Sequence, residues 1–173
     1  MDTFFEQIVS IKKSGVQILA VIGIWLLALI ICAVIFLLIP YFLSFMALGL
    51  IIICLALYGA FKLSGLLNTE YEYIITNGTL DIDKITNKSS RKRILSLELG
   101  NTSRLEKYNT NLLNSANPKE VTFACNKDDS DAYLLVAERD GKPTAYLVFA
   151  PEERLQGAIV KFVPKYISNS AFK

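Results

Sequence analysis

Five cations carry the most suggestive chemistry in this 173-residue sequence. Lys84, Lys88, Arg91, Lys92 and Arg93 fall within ten residues, three of them consecutive. Ammonium and guanidinium groups at this spacing suit an anionic partner, either lipid head groups or an acidic protein segment. The competing assignment is a solvated hairpin turn that binds nothing. Asp81-x-Asp83 puts two carboxylates on one strand face, too few oxygens for a hard cation without a glycine-bearing calcium loop. Asp128, Asp129 and Asp131 precede a strand, where aspartate serves local backbone hydrogen bonding. Cys32, Cys54 and Cys125 are odd in number, and the first two sit at different depths of an apolar run, so free thiols in a reducing compartment are expected. There is no histidine, which removes Ser-His-Asp and Cys-His catalysis and imidazole-ligated metal together. The expectation is a protein with no catalytic residues, no metal and no cofactor.

The elements that must position the five cations come in two materials. Between Lys13 and Lys62 lie 48 residues without a charge, 40 of them apolar, while the remaining chain carries all 34 charges. The totals of 18 Lys+Arg and 16 Asp+Glu are too balanced for a nucleic-acid binder. As one helix the uncharged run would span about 70 Å, more than twice a hydrocarbon core of about 30 Å. It must fold back, and Pro40 followed by Tyr41-Phe42 marks the turn. The run is also too long for a cleaved secretory signal. The expected layout is an N-terminal interfacial segment over 1–13 and a transmembrane hairpin over 14–66, with helices at about 15–39 and 42–62. Residues 1–13 read either as a short helix lying on the membrane or as the first turns of helix one. Lys12, Lys13 and Lys62 flank the spans and the turn is uncharged, so both termini are expected in the cytoplasm of a multi-pass inner-membrane protein. No Asp, Glu, Lys or Arg lies inside either span, which favours an anchor over a transport path.

Residues 67–173 read as an α+β domain. Tyr71, Tyr73 and Ile75 alternate with polar neighbours before Asn77-Gly78, a strong hairpin signal. Leu80 and Ile82 mark the next strand, and Leu95, Leu97 and Leu99 the third. A long polar loop over 100–120 follows, with a short strand near Arg104–Tyr108. Further antiparallel strands are expected at Val121–Cys125, Ala132–Glu138 and Thr144–Ala150. Leu155, Ala158, Ile159, Phe162, Val163, Tyr166 and Ile167 form one helical stripe within 151–168, led by Pro151 and interrupted at Pro164. The outline is an antiparallel curved sheet or partly open barrel capped by a C-terminal helix.

The stretch Tyr71-Glu72-Tyr73-Ile74-Ile75-Thr76-Asn77-Gly78-Thr79-Leu80, the basic Arg91-Lys92-Arg93-Ile94-Leu95 and the Pro151-led helix resemble bacterial pleckstrin-homology-like proteins. With Asp81-Ile82-Asp83-Lys84-Ile85, the resemblance is closest to an uncharacterised clostridial-type membrane family. It implies a PH-like fold preceded by one or two transmembrane helices, and it covers about 66–170 plus the hairpin. The final helix lacks the tryptophan of eukaryotic relatives, since Trp25 lies in the apolar run. The resulting expectation is a membrane-anchored, non-enzymatic binding or scaffold module at the inner face. Its partners would be the bilayer, anionic lipid head groups, or a membrane protein that includes a second copy, and no nucleic acid. The alternatives are a structural subunit of a larger membrane complex and, more remotely, an enzyme.

Overall fold

A computed structural model describes residues 4–38, 46–110, 113, 121–126, 129–139, 142–169 and 171–172. The expected Pro40 turn and Asp128 lie outside the described residues. The chain forms two compact units. One is Lys12–Thr69 with Thr86–Ser89; the other is Met1–Ile11, Glu70–Ile85 and Ser90–Lys173.

The helical unit holds α1 (Gly15–Leu38) and α2 (Met46–Leu66). Both are long and apolar enough to cross a bilayer. α1 begins on a reciprocal capping box: the Gln17 amide N–H donates to Ser14 Oγ at 3.3 Å, and the Ser14 amide N–H donates to Gln17 Oε1 at 2.9 Å. The two helices pack side by side, and residues 39–45 are short enough to require an antiparallel pair. Ala28 and Ala60 are buried, while Leu26, Leu29, Phe36, Ile51 and Leu55 are exposed, which suits an apolar solvent. α2 continues past Lys62, where the sequence predicts its end, to Leu66. A lysine near a membrane-helix end can extend its ammonium to the interface without breaking the helix, and Lys62 Nζ lies 5.7 Å from the Tyr58 ring centroid. Tightened last-turn bonds, Leu67 N–H to Ser64 O (3.3 Å) and Asn68 N–H to Gly65 O (2.9 Å), then close α2.

The other unit is built on two sheets. The first has the order β1 (Phe4–Ser10), β2 (Thr69–Thr76), β3 (Thr79–Thr86), β4 (Ser90–Glu98). The second has the order β5 (Thr102–Lys107), β7 (Tyr133–Arg139), β8 (Lys142–Phe149), β6 (Val121–Phe123). α3 (Glu153–Phe162) follows, then a break at Val163-Pro164 and a short α4 (Lys165–Ser168). α3 starts at Glu153 with Glu152 as its N-cap, so Pro151 precedes the helix rather than taking its first position. Tyr73, Ile75, Leu80, Ile82, Leu95 and Leu97 from the first sheet meet Leu135, Leu147 and Phe149 from the second, with Leu155 and Ile159 of α3. This is the antiparallel β domain with a C-terminal helix that the alternation predicts.

Two expectations need correction. Residues 4–10 are a strand, not an interfacial helix or the start of helix one. β1 pairs antiparallel with β2 from Phe4↔Thr76 to Ser10↔Glu70. Phe5 and Val9 pack on the core, and between them Gln7 Nε2 donates to Ala150 O while the Glu152 amide N–H donates to Gln7 Oε1. The β domain therefore does not begin at residue 67: its first strand precedes the helices, which are inserted between two hydrogen-bonded neighbours. β6 is also not antiparallel to its neighbour. It runs parallel to β8, along an edge where Tyr108, Leu113 and Phe123 cover Leu134, Val136 and Val148 on the far face of the second sheet.

Candidate functional site

The five cations divide between the two units, with Lys84, Arg91, Lys92 and Arg93 in the sheet unit and Lys88 in the helical unit. Arg91, Lys92 and Arg93 open β4, at the end of the first sheet's strand order, where charged side chains oppose edge-to-edge pairing. Arg91 reaches across β3 to Glu72 on β2, with its guanidinium 2.8 Å from Glu72 Oε1. Arg93 Nε donates to Asp83 Oδ1 at 2.9 Å and its NH1 lies 2.8 Å from Asp81 Oδ2. Ser96 Oγ donates to Asp81 Oδ1 at 2.6 Å. The two arginines are thus neutralised by three carboxylates of the same sheet. Lys84, Lys88 and Lys92 form no ion pair among the described residues.

Turn chemistry explains how the carboxylates come together. Asn77 and Gly78 have φ of 48° and 90°, the left-handed pair of a two-residue hairpin. That loop sets Thr76 opposite Thr79, and hence Glu72 opposite Asp83. Glu72 is fully buried, and its Oε2 has no hydrogen-bond partner. Its pKa is raised, first by burial and then by the neighbouring carboxyl of Glu6 on β1, against the lowering effect of Arg91. The hydrogen bond to Asp83 holds the Arg93 pKa above its usual value.

Lys88 belongs to a different setting. The β3–β4 turn, Thr86–Ser89, is part of the helical unit. The Asn87 amide N–H donates to Asn68 O at 3.0 Å, and a Cβ on Gly65 of α2 would collide with the Asn87 carboxamide. Asn87 and Lys88 both have φ of 54°, which ordinary side chains disfavour and glycine accepts. This unit carries Lys12, Lys13, Lys62 and Lys88 and none of the 16 Asp+Glu residues. All four lysines stand at the end where α1 begins and α2 finishes.

The remaining candidates are structural. The Asp131 amide N–H donates to Asp129 Oδ1 at 3.1 Å, a local turn contact. Cys125 is buried and its pKa is pushed up to about 12, by burial first and Asp129 second, so it is an unreactive thiol. Tyr73 Oη donates to Ala124 O at 2.7 Å and accepts from the Ala150 amide N–H at 3.3 Å, joining the two sheets; burial raises its pKa. Its ring meets Phe149 edge-on, with centroids 5.7 Å apart. Sequence reasoning missed β1, Gly65 and the burial of Glu72. It also passed over Ser14-x-x-Gln17, although that spacing before an apolar run is a helix-start signal.

A family described as a bacterial PH-like domain matches residues 1–169. No curated protein and no solved structure matches the chain.

Proposed function

We propose, on the premise that this chain belongs to the bacterial PH-like domain family, that it is a membrane-anchored, non-enzymatic binding module. It presents its β domain at the inner face of the cell membrane to a protein segment or to anionic lipid. The insertion of both apolar helices between β1 and β2 carries this reading. Only residues 11–14 separate β1 from α1, and only residues 67–68 separate α2 from β2. Two links this short tether the domain to the bilayer at both strands, which raises its effective concentration for other membrane components, so weak contacts suffice. The excess of lysines at one end of the helix pair supports the inward orientation. The buried, unreactive Cys125 and the lack of histidine support a binding role over catalysis.

The test is to compare two chains. Full-length protein should stay in the membrane pellet after alkaline carbonate extraction. A chain with residues 11–69 replaced by Asn-Gly, joining Ser10 directly to Glu70 as a hairpin, should be soluble and retain a cooperative unfolding transition. Release of the full-length protein by carbonate would contradict the anchor, and an insoluble or unfolded short chain would contradict the inserted-anchor account.

A further inference from the structure

We propose that β1 is a releasable strand: the Glu6 and Glu72 carboxyls hold it on β2 while they share a proton, and loss of that proton to water frees Phe4–Ser10 from the sheet.

The register of the first sheet brings the acids together. Ile8 stands opposite Glu72 and Glu6 opposite Ile74, which makes Glu6 and Glu72 diagonal neighbours on one face. The Asn77-Gly78 turn sets Asp83 opposite Glu72 on the other side. Arg91 of β4 bonds Glu72 Oε1 at 2.8 Å, and Arg93 is taken by Asp81 and Asp83. Glu70, next on this face of β2, accepts from Ser10 Oγ at 3.3 Å. Glu6, Glu72, Asp81 and Asp83 thus share two guanidiniums, and full ionisation leaves the cluster negative. Within it Glu72 is fully buried, and its Oε2 has no hydrogen-bond partner. A buried carboxylate oxygen without a donor is costly, whereas a protonated one can donate to the exposed Glu6 beside it. Burial and Glu6 both raise the Glu72 pKa, against Arg91. One proton therefore removes two penalties at once, the unsolvated charge of Glu72 and its repulsion from Glu6.

β1 is the element that yields when the proton leaves. It ends the strand order of the first sheet, and its outward side chains Phe4, Glu6, Ile8 and Ser10 are all exposed. Phe5, Val9 and the two Gln7 hydrogen bonds hold its inner side. Elements at an edge open locally at lower cost than the core. An ionised Glu72 gains water when Glu6 and Ile8 move away, so the closed form is favoured at low pH and loses ground as pH rises through the titration of the pair. Opening bares the β2 edge from Glu70 to Thr76. Because residues 11–14 join β1 to α1, it also unties the start of α1 from the sheet.

The experiment is amide hydrogen exchange on the detergent-solubilised full-length chain. It is read by mass spectrometry in peptides covering Phe4–Ser10 and Tyr133–Arg139 and corrected for the intrinsic pH dependence of exchange. In the wild type, protection of Phe4–Ser10 should hold in mildly acidic buffer. It should fall as pH rises above the ordinary glutamate range, by up to about tenfold per pH unit, the limit for one proton. Protection of Tyr133–Arg139, inside the second sheet, should not change. Glu72→Gln should keep β1 protected throughout. Glu6→Gln leaves Glu72 titratable but offers it an amide donor, and should flatten most of the pH dependence; it decides alone if Glu72→Gln loses protection in Tyr133–Arg139 and is therefore misfolded. Protection of β1 that is independent of pH in the wild type, or that falls as steeply in Glu6→Gln, overturns the proposal. A parallel fall in Tyr133–Arg139 of the wild type also overturns it, because the whole domain and not β1 is then opening.

Discussion

Arg91 and Glu72 meet at 2.8 Å although a whole strand separates them, and the arginine side chain is 55% exposed while the glutamate side chain is fully buried. The pair changes what the basic run on β4 is for. Arg91 and Arg93 balance carboxylates that the fold has already buried or half-buried, so their first role is to hold the sheet.

Arg91→Ala should therefore destabilise the protein by about 1–3 kcal/mol, less than for a fully buried pair because water already reaches the guanidinium. Glu72→Gln in the same chain should recover part of that loss, and thermal unfolding of the four chains of this cycle gives the coupling directly. An arginine kept only for an external ligand would leave the midpoint unchanged.

Glu72 also sets a pH dependence whose sign follows from its surroundings. Glu6 on β1 and Asp83 on β3 face it with like charge, Arg91 on β4 faces it with opposite charge, and burial together with Glu6 raises its pKa. A carboxyl whose folded pKa lies above its unfolded value contributes stability that is fully present below the unfolded pKa. That contribution is lost as pH rises through the folded pKa. Glu6→Gln removes a like charge and supplies an amide donor to the buried carboxylate. As pH rises above the ordinary glutamate range the midpoint of the wild type should fall relative to that of Glu6→Gln; parallel profiles would mean the two carboxyls do not interact.

Tyr73→Phe should cost about 1–3 kcal/mol, because the Ala124 carbonyl and the Ala150 amide lose a shared buried partner while the ring stays in place. The effect should appear as a lower denaturant midpoint with an unchanged slope.

Cys125, buried with a thiol pKa of about 12, should resist a water-soluble maleimide at neutral pH in the native protein. It should react once the chain is denatured. Rapid labelling of the native chain at this position would mean that the far face of the second sheet is open.

Local pattern made much of this fold legible. The uncharged run, the Asn77-Gly78 turn, the leucine alternation of β4 and the break at Pro164 each depend on residues a few positions apart. β1 was illegible for the opposite reason. Phe4–Ser10 fits either a helical face or a strand, and its partner lies beyond both apolar helices, so only the long-range pairing with β2 decides. The burial of Glu72 follows from the same pairing, since Tyr71-Glu72-Tyr73 alone reads as a strand with an exposed polar face. The cations were visible as a run, but whether each faces a carboxylate or the helix end depends on strand register and on Gly65, a glycine with no local signal of contact.

The central claim is that an inward-facing domain is interrupted by a membrane hairpin, and single-cysteine topology mapping tests it most directly. In a cysteine-free background, Ser10→Cys, Tyr41→Cys and Tyr166→Cys are probed with a membrane-impermeant maleimide on intact cells and on inverted vesicles. The account predicts that Tyr41→Cys labels only from outside and that Ser10→Cys and Tyr166→Cys label only from the cytoplasmic face. Labelling of Ser10→Cys and Tyr166→Cys from opposite faces, or of both from outside, would contradict it.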